Sequence, residues 1–291
     1  MPKSLRPRRS VLYMPGSNAR AQEKAKGLAA DGLILDLEDA VAPGAKAEAR
    51  EIVCANAASG DYGKREIIIR VNGLDTPWGR DDIIAASKAA PDAILLPKVE
   101  SAAQIHELEK LMVENGAPDT TSIWCMMETP LGILKAEEIA SASKRIDCFV
   151  MGTSDLVKEL QAQHTAMRLP VITSLGLCLL AGRAYGLTVL DGVYLDLGDD
   201  DGYRASCVQG LELGFDGKTL IHPRQLDAAN EVFAPSADEV VYSRRVIEAF
   251  EQAEKEGKGV VLVDGKLVEN LHVEIAKAKV ALADAIDEMA S

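Results

Sequence analysis

SIWCMMETPLG, residues 122–132, is an apolar run that stops at a single carboxylate, Glu128, and then turns through Thr129, Pro130 and Gly132. A strand that presents one acid at its end and passes at once into a helix is how a barrel enzyme furnishes a site. The same figure returns one unit later in DCFVMGTSD, residues 147–155, which ends at Asp155. Two carboxylates from neighbouring strand ends converge on one point. Hard divalent cations take oxygen ligands, so such a cation is expected between Glu128 and Asp155.

Outward from these runs the chain alternates strand and helix. Strands are expected at RSVLYMPG (9–16), GLILDLED (32–39), REIIIRVN (65–72), AILLPK (93–98), 122–128, 148–151, 187–190 and 217–221. Helices are expected over 18–30, with Ser17 as N-cap, and over 46–58, 78–90, 101–115, 132–140, 155–161, 174–185, about 202–213, and 225–233. The strand runs are apolar without polar alternation, so both their faces are buried, as in a parallel sheet. Eight such units in roughly 230 residues is the size of a TIM (β/α)8 barrel, an α/β fold.

After residue 234 the rhythm changes. Residues 236–255 read as one long charged helix, GKGVVLVDGK (257–266) as a hairpin around Asp-Gly, and 271–290 as a final amphipathic helix. The expected organisation is a catalytic barrel over 1–234 and a helix–hairpin–helix extension over 235–291, serving as a lid, an oligomer contact, or both.

Composition narrows the function. Of 291 residues, 45 are Asp or Glu and 32 are Lys or Arg, a net charge of −13, which argues against nucleic acid as partner. Aromatics are only 4%, so the core is aliphatic. The cysteines, Cys54, Cys125, Cys148, Cys178 and Cys207, have no CxxC spacing and read as reduced, buried thiols. The basic start, MPKSLRPRRS, lacks the apolar segment of a signal peptide, and no run is long enough to span a membrane. A cytoplasmic protein without membrane partners is expected.

In barrels the active residues lie at the C-terminal ends of strands. Those ends carry Tyr13, Asp36, Glu38, Asp39, Arg70, Asn72, Lys98, Glu128, Asp155 and His222. The set holds acids and two cations but no nucleophile beside a base, which suits a metal-held anionic substrate. Each has a structural alternative. Asp36, Glu38, Asp39, Glu128 and Asp155 could cap the helices that follow, Arg70 could pair with the acids, and Lys98 could be solvated. His222 reads as structural, and Asp199–Asp201 as a solvated loop. GxGxxG and GxxxxGK[ST] are both absent. Pattern alone therefore reaches a Mg2+-dependent barrel enzyme acting on a small carboxylate.

Eight blocks, in order, carry a family likeness: RSVLYMPG (9–16), LDLEDAVAPGAKAEAR (35–50), IRVNGLDTPWGRDD (69–82), LLPKVE (95–100), METPLGI (127–133), GTSDL (152–156), GFDGKTLIHPRQ (214–225) and DGKLVENL (264–271). Together they resemble the citrate lyase beta-subunit and malyl-CoA lyase family, within the HpcH/HpaI aldolase superfamily. The resemblance implies a TIM barrel, usually trimeric, that binds Mg2+ and a CoA thioester together with a small oxo-acid. It implies Glu128 and Asp155 as metal ligands and Arg70 as the group holding the substrate carboxylate or oxyanion. It places Tyr13, Asp39 and Lys98 in blocks that line the substrate or CoA pocket.

The implied reaction is Claisen-type cleavage of a malyl-, citramalyl- or citryl-CoA into an acyl-CoA and an oxo-acid. Two departures stand out. Family lyases often use an Asp in the tail as base, donated across a subunit interface; this chain has Glu269 there, which is either the base, a preference for another substrate, a tilt towards thioester hydrolysis, or a surface acid. Subunits of the citrate lyase complex usually carry GAED where this chain has GTSD, which implies a stand-alone relative.

Overall fold

The computed structural model describes residues 6–290, so the first half of the basic N-terminal stretch and the last residue of the expected extension lie outside the described residues. Packing divides the chain after Asn230 into a barrel unit beginning at Arg8 and a second unit formed from Glu231 onward.

The barrel unit is a closed ring of eight parallel strands in sequence order. They are β1 (Ser10–Pro15), β2 (Gly32–Asp36), β3 (Glu66–Arg70), β4 (Ala93–Leu96), β5 (Ser122–Met127), β6 (Ile146–Met151), β7 (Thr188–Asp191) and β8 (Gly217–Leu220). β8 closes on β1 through Val11 opposite Thr219. The TIM barrel expected from the strand runs is the fold observed.

Side chains alternate across a strand, so one inward residue fixes the rest. Val11, Ile34, Ile68, Leu95, Trp124, Met126, Cys148, Val150 and Leu190 fill the interior. Continuing each period by two carries Tyr13, Asp36, Arg70, Glu128 and Gly152 onto the inner face at the C-terminal rim. At the other end Arg8 closes the floor. It pairs with Glu66 and Asp147 and stacks 4.9 Å above the Trp124 ring.

Several helices differ from expectation. Asn18, not Ser17, caps α1 (Ala19–Ala25), accepting from the Ala21 N–H at 3.0 Å, and the helix stops before Gly27. Helix formation after β5 begins at Pro130, whose fixed φ suits a first turn, and splits into α5 (Pro130–Leu134) and α6 (Ala136–Ala140). α7 (Thr153–Glu159) starts two residues early, which puts Asp155 in its first turn. Asp199–Asp201 is not a solvated loop. Asp199 caps α9 (Asp200–Leu213), accepting from Gly202 N–H at 2.9 Å and Tyr194 O–H at 2.6 Å. The acids there supply the negative charge that a helix start favours.

The second unit is a helix–hairpin–helix. Ser236 and Glu239 form a capping box that starts α11 (Ala237–Lys255). β9 (Val261–Val263) and β10 (Lys266–Val268) pair antiparallel around Asp264 and Gly265, whose φ values of +52° and +77° are those of a two-residue primed turn. α12 (Asn270–Ala290) follows, and Val246, Phe250, Val263, Val268 and Val273 form this unit's core.

Candidate active site

A cavity of about 380 Å3 opens at the C-terminal rim, lined among others by Tyr13, Asp36, Asp39, Arg70, Glu128 and Asp155. Six of the residues singled out from sequence therefore share one space, and Lys98 joins them through ion pairs. Glu269 belongs to the second unit, where it is exposed at the turn into α12.

Arg70 is held by Asp36, which takes Nε at 2.7 Å and Nη2 at 2.6 Å. Asp36 is locked in turn by the N–H groups of Glu38 and Ala40. Both side chains are nearly excluded from water. The guanidinium lies 4.9 Å over the Tyr13 ring, and its Nη1 edge donates to Met126 Sδ at 3.7 Å. That edge sits 2.9 Å from Glu38 Oε2, outside the angles of a hydrogen bond. Asp36 caps no helix, because its N–H partners lie in the turn after β2 and the helix beginning at Lys46 has no side-chain cap, while Arg70 is both ion-paired and aimed at the cavity.

Glu38 reaches Arg70 with one oxygen and Lys98 with the other. Burial pushes its carboxyl up, against the pull of Arg70 and Lys98. The pairing with Arg70 is the structural alternative expected for that arginine, whereas the bridge on to Lys98 has no sequence signal beyond the density of the run Asp36-Leu37-Glu38-Asp39. Lys46 shapes that turn from below, donating to the carbonyls of Leu37 and Glu38 and to Asn72 Oδ1 at 2.7–2.8 Å. Asp39 is exposed on the cavity rim.

Glu128 is 2% exposed and accepts the Lys98 N–H at 2.9 Å. Burial, reinforced by Glu38, pushes its carboxyl up to about 8 despite Lys98. The residue opposite it has to be glycine. A Cβ on Gly152 would fall 2.5 Å from Glu128 Cβ and Oε2. Asp155 stands on α7 at the same cavity, about a quarter exposed. Its helix is capped by Gly152 without any side-chain bond, so Asp155 is not spent as a cap. His222 is structural, its Nδ1 accepting from Arg224 N–H at 3.2 Å.

No group of three or more His, Cys, Asp or Glu gathers round one point among the described residues. Two carboxylates fit Mg2+ nonetheless, because that ion is commonly held by one or two protein carboxylates, with water and substrate completing its shell. The Lys98 ammonium lies 4.0 Å from Glu128 Oε1 and 3.9 Å from Asp155 Oδ2, so both acids face one positive charge.

The family model for HpcH/HpaI aldolase/citrate lyase matches residues 9–223. The chain belongs to this family. It is 54% identical over 280 residues to a (3S)-malyl-CoA thioesterase of Cereibacter sphaeroides, covering 96% of both chains. It is 36% identical to the citrate lyase subunit beta of Escherichia coli, covering 97% of this chain and 95% of that one. Among solved structures it resembles CitE of Mycobacterium tuberculosis in complex with magnesium, acetoacetate and coenzyme A. The TM-score is 0.76 at 28% identity, with 94% and 97% of the two chains covered. The family and the barrel thus agree with what the eight sequence blocks implied.

Proposed function

We propose that this family member is a Mg2+-dependent enzyme acting on a 3-hydroxyacyl-CoA of the malyl-CoA type, cleaving it reversibly to an acyl-CoA and an oxo-acid. The observation that carries the reading is Arg70, fixed by Asp36, sharing one cavity with Glu128 and Asp155. Glu128 and Asp155 would hold Mg2+, which supplies Lewis-acid polarisation of the hydroxy-acid oxygens. Arg70 Nη1 takes the substrate carboxylate and offsets charge where the alkoxide becomes a carbonyl. Tyr13 supports the guanidinium from below. Asp39 and Lys98 border the entrance. Glu269 is the candidate proton-handling group, with one methylene more than the Asp it replaces. The working form is a homo-oligomer, a trimer on the family likeness.

A second reading is thioester hydrolysis, favoured by the 54% identity to proteins named (3S)-malyl-CoA thioesterase. Product analysis separates the two. Purified protein with Mg2+ and malyl-, citramalyl- or citryl-CoA yields an acyl-CoA plus an oxo-acid if it is a lyase. Free CoA and the diacid, without acyl-CoA, would instead establish hydrolysis. Glu269→Ala is expected to slow turnover by at least about a hundredfold while Mg2+ affinity is unchanged; unchanged turnover removes Glu269 from the mechanism.

A further inference from the structure

The ammonium of Lys98 stands among three carboxylates. It is hydrogen-bonded to Glu38 Oε1 and lies 3.9 Å from Asp155 Oδ2 and 4.0 Å from Glu128 Oε1. The last two oxygens belong to the proposed magnesium ligands. Lys98 thus already has a positive charge beside the place that reading gives to the metal.

The attachment of this side chain is unusual. Lys98 has a φ of +49°, the left-handed region that a lysine seldom adopts. Its own N–H is fixed on Glu128 at 2.9 Å. The backbone is therefore anchored to one proposed ligand, while the four-carbon arm remains 46% exposed and has solvent to swing into. Glu38 already accepts the ammonium and remains its partner when the arm moves away from Glu128 and Asp155.

We propose that Lys98 is a tethered counter-ion of the metal site: while the cation is absent its ammonium, held by Glu38, offsets the charge of Glu128 and Asp155, and it swings out towards solvent when the cation binds. The inference rests on the reading of Glu128 and Asp155 as ligands. Its physical basis is that an ammonium and a divalent ion about 4 Å apart repel strongly in a half-buried site. Loading is then an exchange of one positive group for another. Exchange lowers the metal's apparent affinity but spares the empty site the cost of unpaired, partly buried carboxylates.

The experiment is calorimetric titration of Mg2+ into the full-length protein, without substrate, for the parent, Lys98→Met and Lys98→Arg. Thermal melts in EDTA accompany it. Lys98→Met is expected to bind Mg2+ about tenfold more tightly, within the usual range for coupled sites, and to melt below the parent only when metal-free. Lys98→Arg, which keeps the charge, is expected to bind like the parent. Equal or weaker affinity in Lys98→Met overturns the counter-ion role while leaving the ligand assignment standing. If parent and variants alike bind no Mg2+, the ligand assignment falls and the inference with it.

Discussion

Glu128 shows how burial writes chemistry onto one residue. A carboxyl pushed up to about 8, even with the Lys98 ammonium beside it, meets part of its burial cost near neutral pH with a proton that a cation displaces. Between its unfolded value near 4.5 and about 8 the folded protein binds the extra proton, so this group makes metal-free stability fall as pH rises through that window. Glu128→Gln is therefore expected to raise the metal-free melting temperature at pH 8 by about 2 °C or more and to flatten its pH slope. It is also expected to abolish the stabilisation by Mg2+ and the metal-dependent turnover. Melts at pH 5 and 8, with EDTA and with Mg2+, read all of these; a Gln variant still stabilised by Mg2+ refutes the ligand role. Arg70 is the converse case, a structural cation to which the proposed function also gives the substrate carboxylate. Arg70→Ala leaves Asp36 buried without its partner, a loss of about 3–5 kcal/mol by denaturant titration. Among molecules that still fold, the KM for the oxo-acid in the condensing direction is expected to rise more than that for the acyl-CoA. Equal rises would mean that Arg70 does not read the carboxylate.

At the scale of elements, the period-two geometry of the strands assembles the site. Trp124, Met126 and Glu128 share one face of β5 and its extension, so packing the first two in the barrel interior aims the third at the cavity. β6 does the same with Cys148, Val150 and Gly152, and the glycine makes room for the acid across from it. Gly152 has a φ of −90°, which alanine adopts freely, so Gly152→Ala tests space alone. It is expected to displace Glu128, cost about 1–3 kcal/mol and weaken Mg2+ binding at least tenfold, read by melts and metal titration. Unaltered metal affinity would show that the Gly152–Glu128 contact does not position the ligand. Strand runs and the hairpin at Asp264-Gly265 were legible because their signals are local. Helix starts were less so. Asn18 and Ser17 are equally good caps on paper, and only the backbone path after Pro15 chooses between them.

On the scale of the whole molecule, the second unit exposes more apolar surface than a free-standing hairpin warrants. Leu262 and Leu267 face each other across the strands at 68% and 54% exposure, with Leu271 and Ile275 following on α12 at 55% and 53%. Exposed apolar groups clustered this way mark a surface that binds protein. A homotrimer is expected by light scattering, and Leu262→Lys combined with Leu267→Lys is expected to shift it towards monomer. A parent that is monomeric at micromolar concentration removes the oligomer proposal. Among the described residues no helix is long and apolar enough to cross a membrane.

The sequence by itself determined the alternation of strand and helix, the order of the barrel and the acids at its strand ends. Each is written in neighbouring residues, as apolar runs, turn chemistry and the ordered family blocks. Only the tertiary structure decided which acids share a partner. Asp36 and Arg70 are 34 residues apart, and Glu38 and Lys98 are 60 apart, so their pairing depends on ring closure and strand register. The upward push on Glu128 came from the same source, since burial is a property of everything packed around a residue and of nothing in its own stretch of chain.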